Sequence, residues 1–344
     1  MTLLRKLYDA IFAVRLDDAL SLIKAGHPVN GVVWGESLIG LAARCGHKDI
    51  VVALLDAGAD ANAKDTPIVV AAGNDKSSIV AILLDRGVDI DQRNAYGDTP
   101  LLSAVRSGRV DTCRLLLARG ANVNDAGGDG FASPLHVALY LNHSNAEFEI
   151  VSLLVHHGAN LECTMGTKTL TPLCRAAMYC ESDIVRLLVE NGANVHCVTG
   201  DERTLLHCFA LADSECELIS YLIGKGVRLD CKNKADQTAV HVAARVGATR
   251  VVATLVNAGA SIYIYNGDLR LPIDITSHLD TVWVLLHAQI RDIVMALAPL
   301  ALPAYHLLWI IDWLPRATLV TEYRKISHIT RVVESINRVR TRKP

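Results

Sequence analysis

The chain has 344 residues, 51% hydrophobic but only 5% aromatic, with a formal net charge of −2. That length exceeds what one compact core needs, and near-neutral charge excludes a whole-chain polyanion binder. Small aliphatic side chains dominate, as close helix stacking requires.

At the N-terminus, Leu4–Val14 and Ala19–Ala25 predict a helix pair. Arg5, Lys6, Asp9, Arg15, Asp17 and Asp18 interrupt it, so no secretory hydrophobic core fits there. A punctuation mark then recurs: Thr66-Pro67-Ile68, Thr99-Pro100-Leu101, Ser133-Pro134-Leu135-His136, Thr171-Pro172-Leu173, Thr204-Leu205-Leu206-His207 and Thr238-Ala239-Val240-His241. The steps between the Thr/Ser positions are 33, 34, 38, 33 and 34 residues. Gly58-Ala59, Gly87-Val88, Gly120-Ala121, Gly158-Ala159, Gly192-Ala193, Gly226-Val227 and Gly259-Ala260 run in phase with it. A fixed period of this size means a stack of small units.

The unit starting at Thr99 shows what each position does. Thr99 accepts from free N–H groups at a helix start, and Pro100 takes the first helical position, where its missing N–H costs nothing. Leu101 and Ala104 share one face, and Gly108 ends the helix with a left-handed backbone. Val110, Cys113, Leu116 and Leu117 form the apolar stripe of a second helix. Gly120 ends that helix, and Asn122 and Asn124 suit the turn after it.

These residues, Gly97-Asp98-Thr99-Pro100-Leu101 through Gly120-Ala121-Asn122-Val123-Asn124, resemble an ankyrin repeat nearly throughout. The resemblance implies an all-α ankyrin-repeat solenoid of helix-turn-helix units with hairpin-like fingers. About seven to eight units span residues 31–286, after a degenerate N-terminal capping repeat at 1–30. It also implies that His136, His207 and His241, which share one position of the unit, pack and hydrogen-bond between neighbours. The step from Ser37 to Thr66 is only 29, so the finger Asn62-Ala63-Lys64-Asp65 is short. The step of 38 reflects an insertion near Leu141–Glu147 and a longer finger at Cys163–Thr169. Leu271-Pro272-Ile273 opens a last, weakened repeat. Asn62 and Asn124 resemble the sites of asparaginyl hydroxylation in other ankyrin proteins.

In this family partners lie along the surface of finger tips and first helices. Here the fingers present Trp34, Tyr96, Phe131 and Arg203, and the outward positions of the first helices hold Arg44, Arg106, Tyr140, Met178 and Arg245. Aromatics and arginine dominate binding energy at interfaces, so these nine are the candidate partner-binding residues. The expected partner is a protein rather than a small molecule.

The nine cysteines form no Cys-x-x-Cys pair, and several fall on predicted helices. Free thiols are expected, hence a reducing, cytoplasmic or nuclear setting. No phosphate loop, His-Glu-x-x-His or Gly-x-Ser-x-Gly is present. Gly127-Gly128-Asp129-Gly130 reads as an elaborated finger. The expectation is a protein with no catalytic residue, metal or cofactor.

Composition shifts after Gln289, and residues 287–344 read as a helical C-terminal segment. Ile293 to Ile311 is a run of 19 residues without Asp, Glu, Lys or Arg. Such a run reaches membrane-spanning length, but Pro299, Pro303 and His306 interrupt it and Asp312 follows. Inside it, Leu302-Pro303 precedes Leu307, Ile310, Ile311 and Leu314 at helical spacing, closed by Pro315. This resembles the opening of an F-box and the F-box-like (PRANC-type) ends of some ankyrin proteins, notably those of poxviruses. The resemblance implies docking of Skp1 in a cullin–RING ubiquitin ligase through those seven residues. The other readings are a helical cap on the last repeat, giving a plain scaffold, and a membrane-tethered adaptor. From Arg316 onward come eight Lys/Arg against two Glu, a solvated basic tail that nucleic-acid binding would have to use.

Overall fold

A computed structural model describes residues 2–128, 133–141, 145–164, 170–179, 181–211 and 216–297. Its contacts divide the chain into two units, Met1–Ala176 with Asp183–Asn194, and Ala177–Ser182 with Val195–Pro344. Each is a stack of antiparallel helix pairs.

The first unit opens with α1 (Thr2–Phe12) and α2 (Leu16–Lys24). A hairpin, β1 (Val32–Val33) and β2 (Glu36–Ser37), leads into α3 (Leu38–Cys45) and α4 (Lys48–Asp56). Then come α5 (Pro67–Gly73) with α6 (Ser77–Asp85), α7 (Pro100–Arg106) with α8 (Val110–Ala118), and α9 (Pro134–Ala138) with α10 (Asn145–His156). Helices α11 (Pro172–Met178) and α12 (Ser182–Glu190) carry the division between the units. The second unit continues with α13 (Leu205–Phe209), α14 (Cys216–Gly224), α15 (Ala239–Val246), α16 (Thr249–Asn257), α17 (Pro272–Ile275) and α18 (Leu279–Leu297).

Within the first unit α1, α3, α5, α7 and α9 stack in one row and α2, α4, α6, α8 and α10 in another. Within the second, α13, α15 and α17 form one row and α14, α16 and α18 the other. The core is the seam between the rows. Leu41, Ala42, Ile50, Leu54, Ala71, Ile79, Leu83, Leu101, Ala104 and Leu116 are fully buried in the first unit. Burying each Leu or Ile stabilises its pair by about 1.5–3 kcal/mol. Ala42, Ala71 and Ala104 are the small residues that let adjacent first helices approach.

Helix starts follow the sequence expectation with one departure. Leu102 N donates to Thr99 Oγ1 at 3.2 Å, and Ser37, Ser133 and Thr171 cap in the same way. Thr66 does not: its backbone is left-handed, at φ 48°, and its buried hydroxyl lacks a partner. The short finger forces this turn, because Thr66 N must reach Ala63 O, at 2.7 Å. Gly108 ends α7 with φ 68°, as its sequence position implies.

At the other end, α18 runs unbroken through residue 286, the boundary drawn from sequence. Val282, Leu285, Leu286 and Ile290 keep a buried helical stripe across it, and no Gly or Pro interrupts them. Among the described residues no helix is long and apolar enough to cross a membrane.

Candidate functional site: the finger side of the first helices

Three positions of the repeat build this surface: the finger tip, the residue before the cap, and the residue seven after it. In the first unit the tip position holds Trp34 and Tyr96, which are 76% and 86% exposed. Trp34 and Gly35 make a two-residue turn, both left-handed, at φ 56° and 84°. Such hairpin turns favour Asn-Gly, so an exposed Trp there is strained. The Arg5 guanidinium lies over its ring, 5.4 Å from the centroid. Tyr96 sits on a finger held by Asn94, whose Oδ1 accepts from Tyr96 N and Asp98 N, both at 2.9 Å. Next to it Gly97 presses against Gly128, so closely that a Cβ on Gly97 would lie 2.2 Å from Gly128 Cα. Gly128 thus supplies a backbone-to-backbone contact between fingers.

The other two positions pair with each other. Arg44 Nε and Nη2 donate to the Glu36 carboxylate at 2.8 and 2.9 Å. Arg106 Nη2 donates to Asp98 Oδ1 at 3.1 Å. Glu36 holds the Arg44 guanidinium more firmly charged than usual. Burial first, and then the Glu36 charge, push the Tyr8 phenol up. Two of the arginines named from sequence, Arg44 and Arg106, are therefore ion-paired rather than bare.

The repeat between them departs from this plan. Its corresponding residues are Asp65 and Gly73. With no arginine to meet, Asp65 turns toward the preceding cap: its Oδ2 accepts from Ser37 N at 2.9 Å and Ser37 Oγ at 3.0 Å. In later repeats a histidine does this. Thr204 N and Oγ1 lie 3.2 and 2.9 Å from His207 Nδ1, and Thr238 meets His241 in the same way. The residue in the histidine position of the Ser37 repeat is Gly40, and a Cβ there would sit 1.9 Å from Asp65 Oδ2. A glycine and a carboxylate from the next finger thus replace one imidazole.

The three histidines also bridge forward. His207 Nε2 donates to Gln237 O at 2.8 Å and His241 Nε2 to Arg270 O at 3.2 Å. His136 lies 3.3 Å from Leu170 O and 3.0 Å from Ser133 Oγ. Burial depresses all three pKa values, so the rings are neutral.

Tyr140 is half-exposed and stacks on Arg175, whose Cζ is 4.2 Å from the ring centroid. Arg175 is buried and donates to Leu139 O at 3.0 Å. Sequence reading passed over it, although the same position elsewhere holds Leu41, Val70, Ser103, Val137, Cys208, Val242 and Ile275. In the second unit Met178, Arg203 and Arg245 are all exposed. Leu269, also passed over, is exposed at a left-handed finger position, φ 57°. Phe131 and the docking candidates Leu302, Pro303, Leu307, Ile310, Ile311, Leu314 and Pro315 lie outside the described residues.

Among the described residues no group of His, Cys, Asp and Glu could hold a metal ion, and the cysteines there are free thiols. Desolvation holds Cys113 up at about 12, so it stays protonated. A depression of about 500 Å³ between α1 and α2 is lined by Lys6, Asp9, Arg15 and Asp18.

Comparison with known proteins matches residues 39–127, 125–199 and 173–266 to the family described as ankyrin repeats (3 copies). An ankyrin repeat protein of fowlpox virus (strain NVSL) is 32% identical over 156 residues, 42% of this chain and 44% of that one. Human neurogenic locus notch homolog protein 2 is 37% identical over 131 residues, 37% of this chain and 5% of that one. The match thus spans less than half of either relative's own length. The human ASB11 ankyrin repeat domain superposes with a TM-score of 0.52 at 21% identity, covering 64% of this chain and 97% of that one.

Proposed function

The chain belongs to the ankyrin repeat family, and we propose that it is a non-catalytic adaptor that holds a partner protein on its finger side. The observation that carries this reading is the exposure of Trp34 and Tyr96 on braced fingers. Neither ring is needed for the core, and rigid exposed aromatics are the residues that dominate interface energy. A photo-crosslinking residue at position 96 tests it, with one at Arg119, the residue that follows α8, as control. Protein adducts at 96 and none at 119 are expected. Equal adducts at both, or none at either, contradict the reading.

The finer proposal is a substrate-recruiting subunit of a Skp1-dependent cullin–RING ubiquitin ligase. Its support is the Leu302–Pro315 pattern, together with the match to a poxvirus ankyrin protein. A second reading, a plain scaffold whose C-terminal helices cap the stack, is favoured by the unbroken run of α18 out of the last repeat. Intracellular placement belongs to both readings and rests on the free thiols.

A further inference from the structure

The short finger does more than end a hairpin early. The tip position holds Trp34 in one repeat and Tyr96 two repeats on, while Ala63 stands between them. The position seven after the cap holds Arg44 and Arg106, with Gly73 between them. Both positions therefore lose their large side chain in the same repeat, where Asp65 has also turned away to cap Ser37. The result is a recess one repeat wide in the row of large side chains, with Gly73 against Ser103 of the next repeat and an arginine and an aromatic on each flank.

Each flank is braced by a residue outside the recess. Arg5 comes from the preceding repeat and lies over Trp34. On the other side Arg93 Nη1 donates to Gly97 O at 2.9 Å and to Ala126 O at 3.1 Å, and Gly128 backs Gly97. Within each ion pair the arginine is the more exposed partner. The Arg44 and Arg106 side chains are 41% and 57% exposed, whereas their partners Glu36 and Asp98 are 21% and 17% exposed. Lys64, on the short finger, is exposed as well.

We propose that this recess binds an extended acidic segment of a protein, with carboxylates on Arg44 and Arg106 and apolar side chains between Trp34 and Tyr96. The inference rests on the protein-binding reading above and names its site and partner chemistry. Guanidinium forks suit carboxylates, and a flat aromatic pair takes apolar groups at low entropic cost.

The test uses the full chain and a fluorescein-labelled random copolymer of glutamate and tyrosine, followed by anisotropy. Arg44→Gln/Arg106→Gln and, separately, Trp34→Ala/Tyr96→Ala are each expected to weaken binding about tenfold or more. The outer pair Arg86→Gln/Arg119→Gln is expected to leave it unchanged, with all melting curves alike by circular dichroism. The aromatic variant keeps the test valid if losing Arg44 disturbs Glu36. The proposal is overturned if the copolymer does not bind or if the outer pair weakens it as much. It is also overturned if oligothymidylate competes fully, which would make the recess a nucleic-acid site. Crosslinking at position 96 then reports separately on whether the repeats bind protein at all.

Discussion

Asp65 is the residue on which the first repeats turn. Its carboxylate satisfies a cap 28 residues upstream, and Gly40 leaves the room. Asp65→Ala is expected to cost about 1–3 kcal/mol, since it strands a buried N–H and O–H of Ser37. Gly40→His alone is expected to destabilise by collision, and Gly40→His/Asp65→Ala to recover part of the loss through the imidazole arrangement seen at His207. Urea unfolding of the four proteins gives the coupling, and strict additivity would refute the exchange. The histidines make a second prediction at this scale. Their native pKa lies below the ordinary 6.5, so below that pH the unfolded chain binds protons that the native chain does not. Stability is then full above 6.5 and falls as pH drops through it. Unfolding at a series of pH values should show this slope, and His207→Asn/His241→Asn should flatten it. Thr99 could be read from the sequence because its partner lies three residues on, and the histidines because they share one position of a unit that resembles a known repeat. Asp65 could not, because its partner is remote and its role exists only because the finger is short.

At the scale of elements, the hairpin trades stability for exposure. Trp34 occupies a left-handed position that favours Asn or Gly. Trp34→Asn is expected to raise stability by about 0.5–1 kcal/mol while weakening partner binding, as thermal melts and the copolymer titration would show. A loss of stability would mean that the Arg5 contact outweighs the strain. The second helices carry a ladder, Arg86 on Asp56 at 2.8 Å and Arg119 on Asp85 at 2.9 Å. These exposed pairs are worth little each, so they mark register more than they supply stability. The helix pairs themselves were legible from the 33-residue period and the Gly-Ala marks. The extent of α18 was not, because a change in composition near Gln289 is not a break in the backbone: the apolar spacing continues through it.

At the scale of the molecule, a repeat stack is held by nearest-neighbour contacts, so one surface can change without the fold changing. That is how a single repeat could shorten its finger, lose its arginine and still pack Ile68, Ala71 and Ala72 fully. Sequence periodicity reported the stack well and the binding surface only in part. It identified which side chains stand out, but not that Arg44 and Arg106 are tied to Glu36 and Asp98, since pairing across eight residues depends on the finger's path. The adaptor account joins this surface to the C-terminal segment. The measurement that tests it most directly is capture of purified Skp1–cullin complex by the full chain and by Leu307→Asp/Ile310→Asp. The account predicts capture by the intact chain and loss in the variant, with the repeats equally helical by circular dichroism. Failure of the intact chain to capture the complex, or equal capture by both, would contradict it.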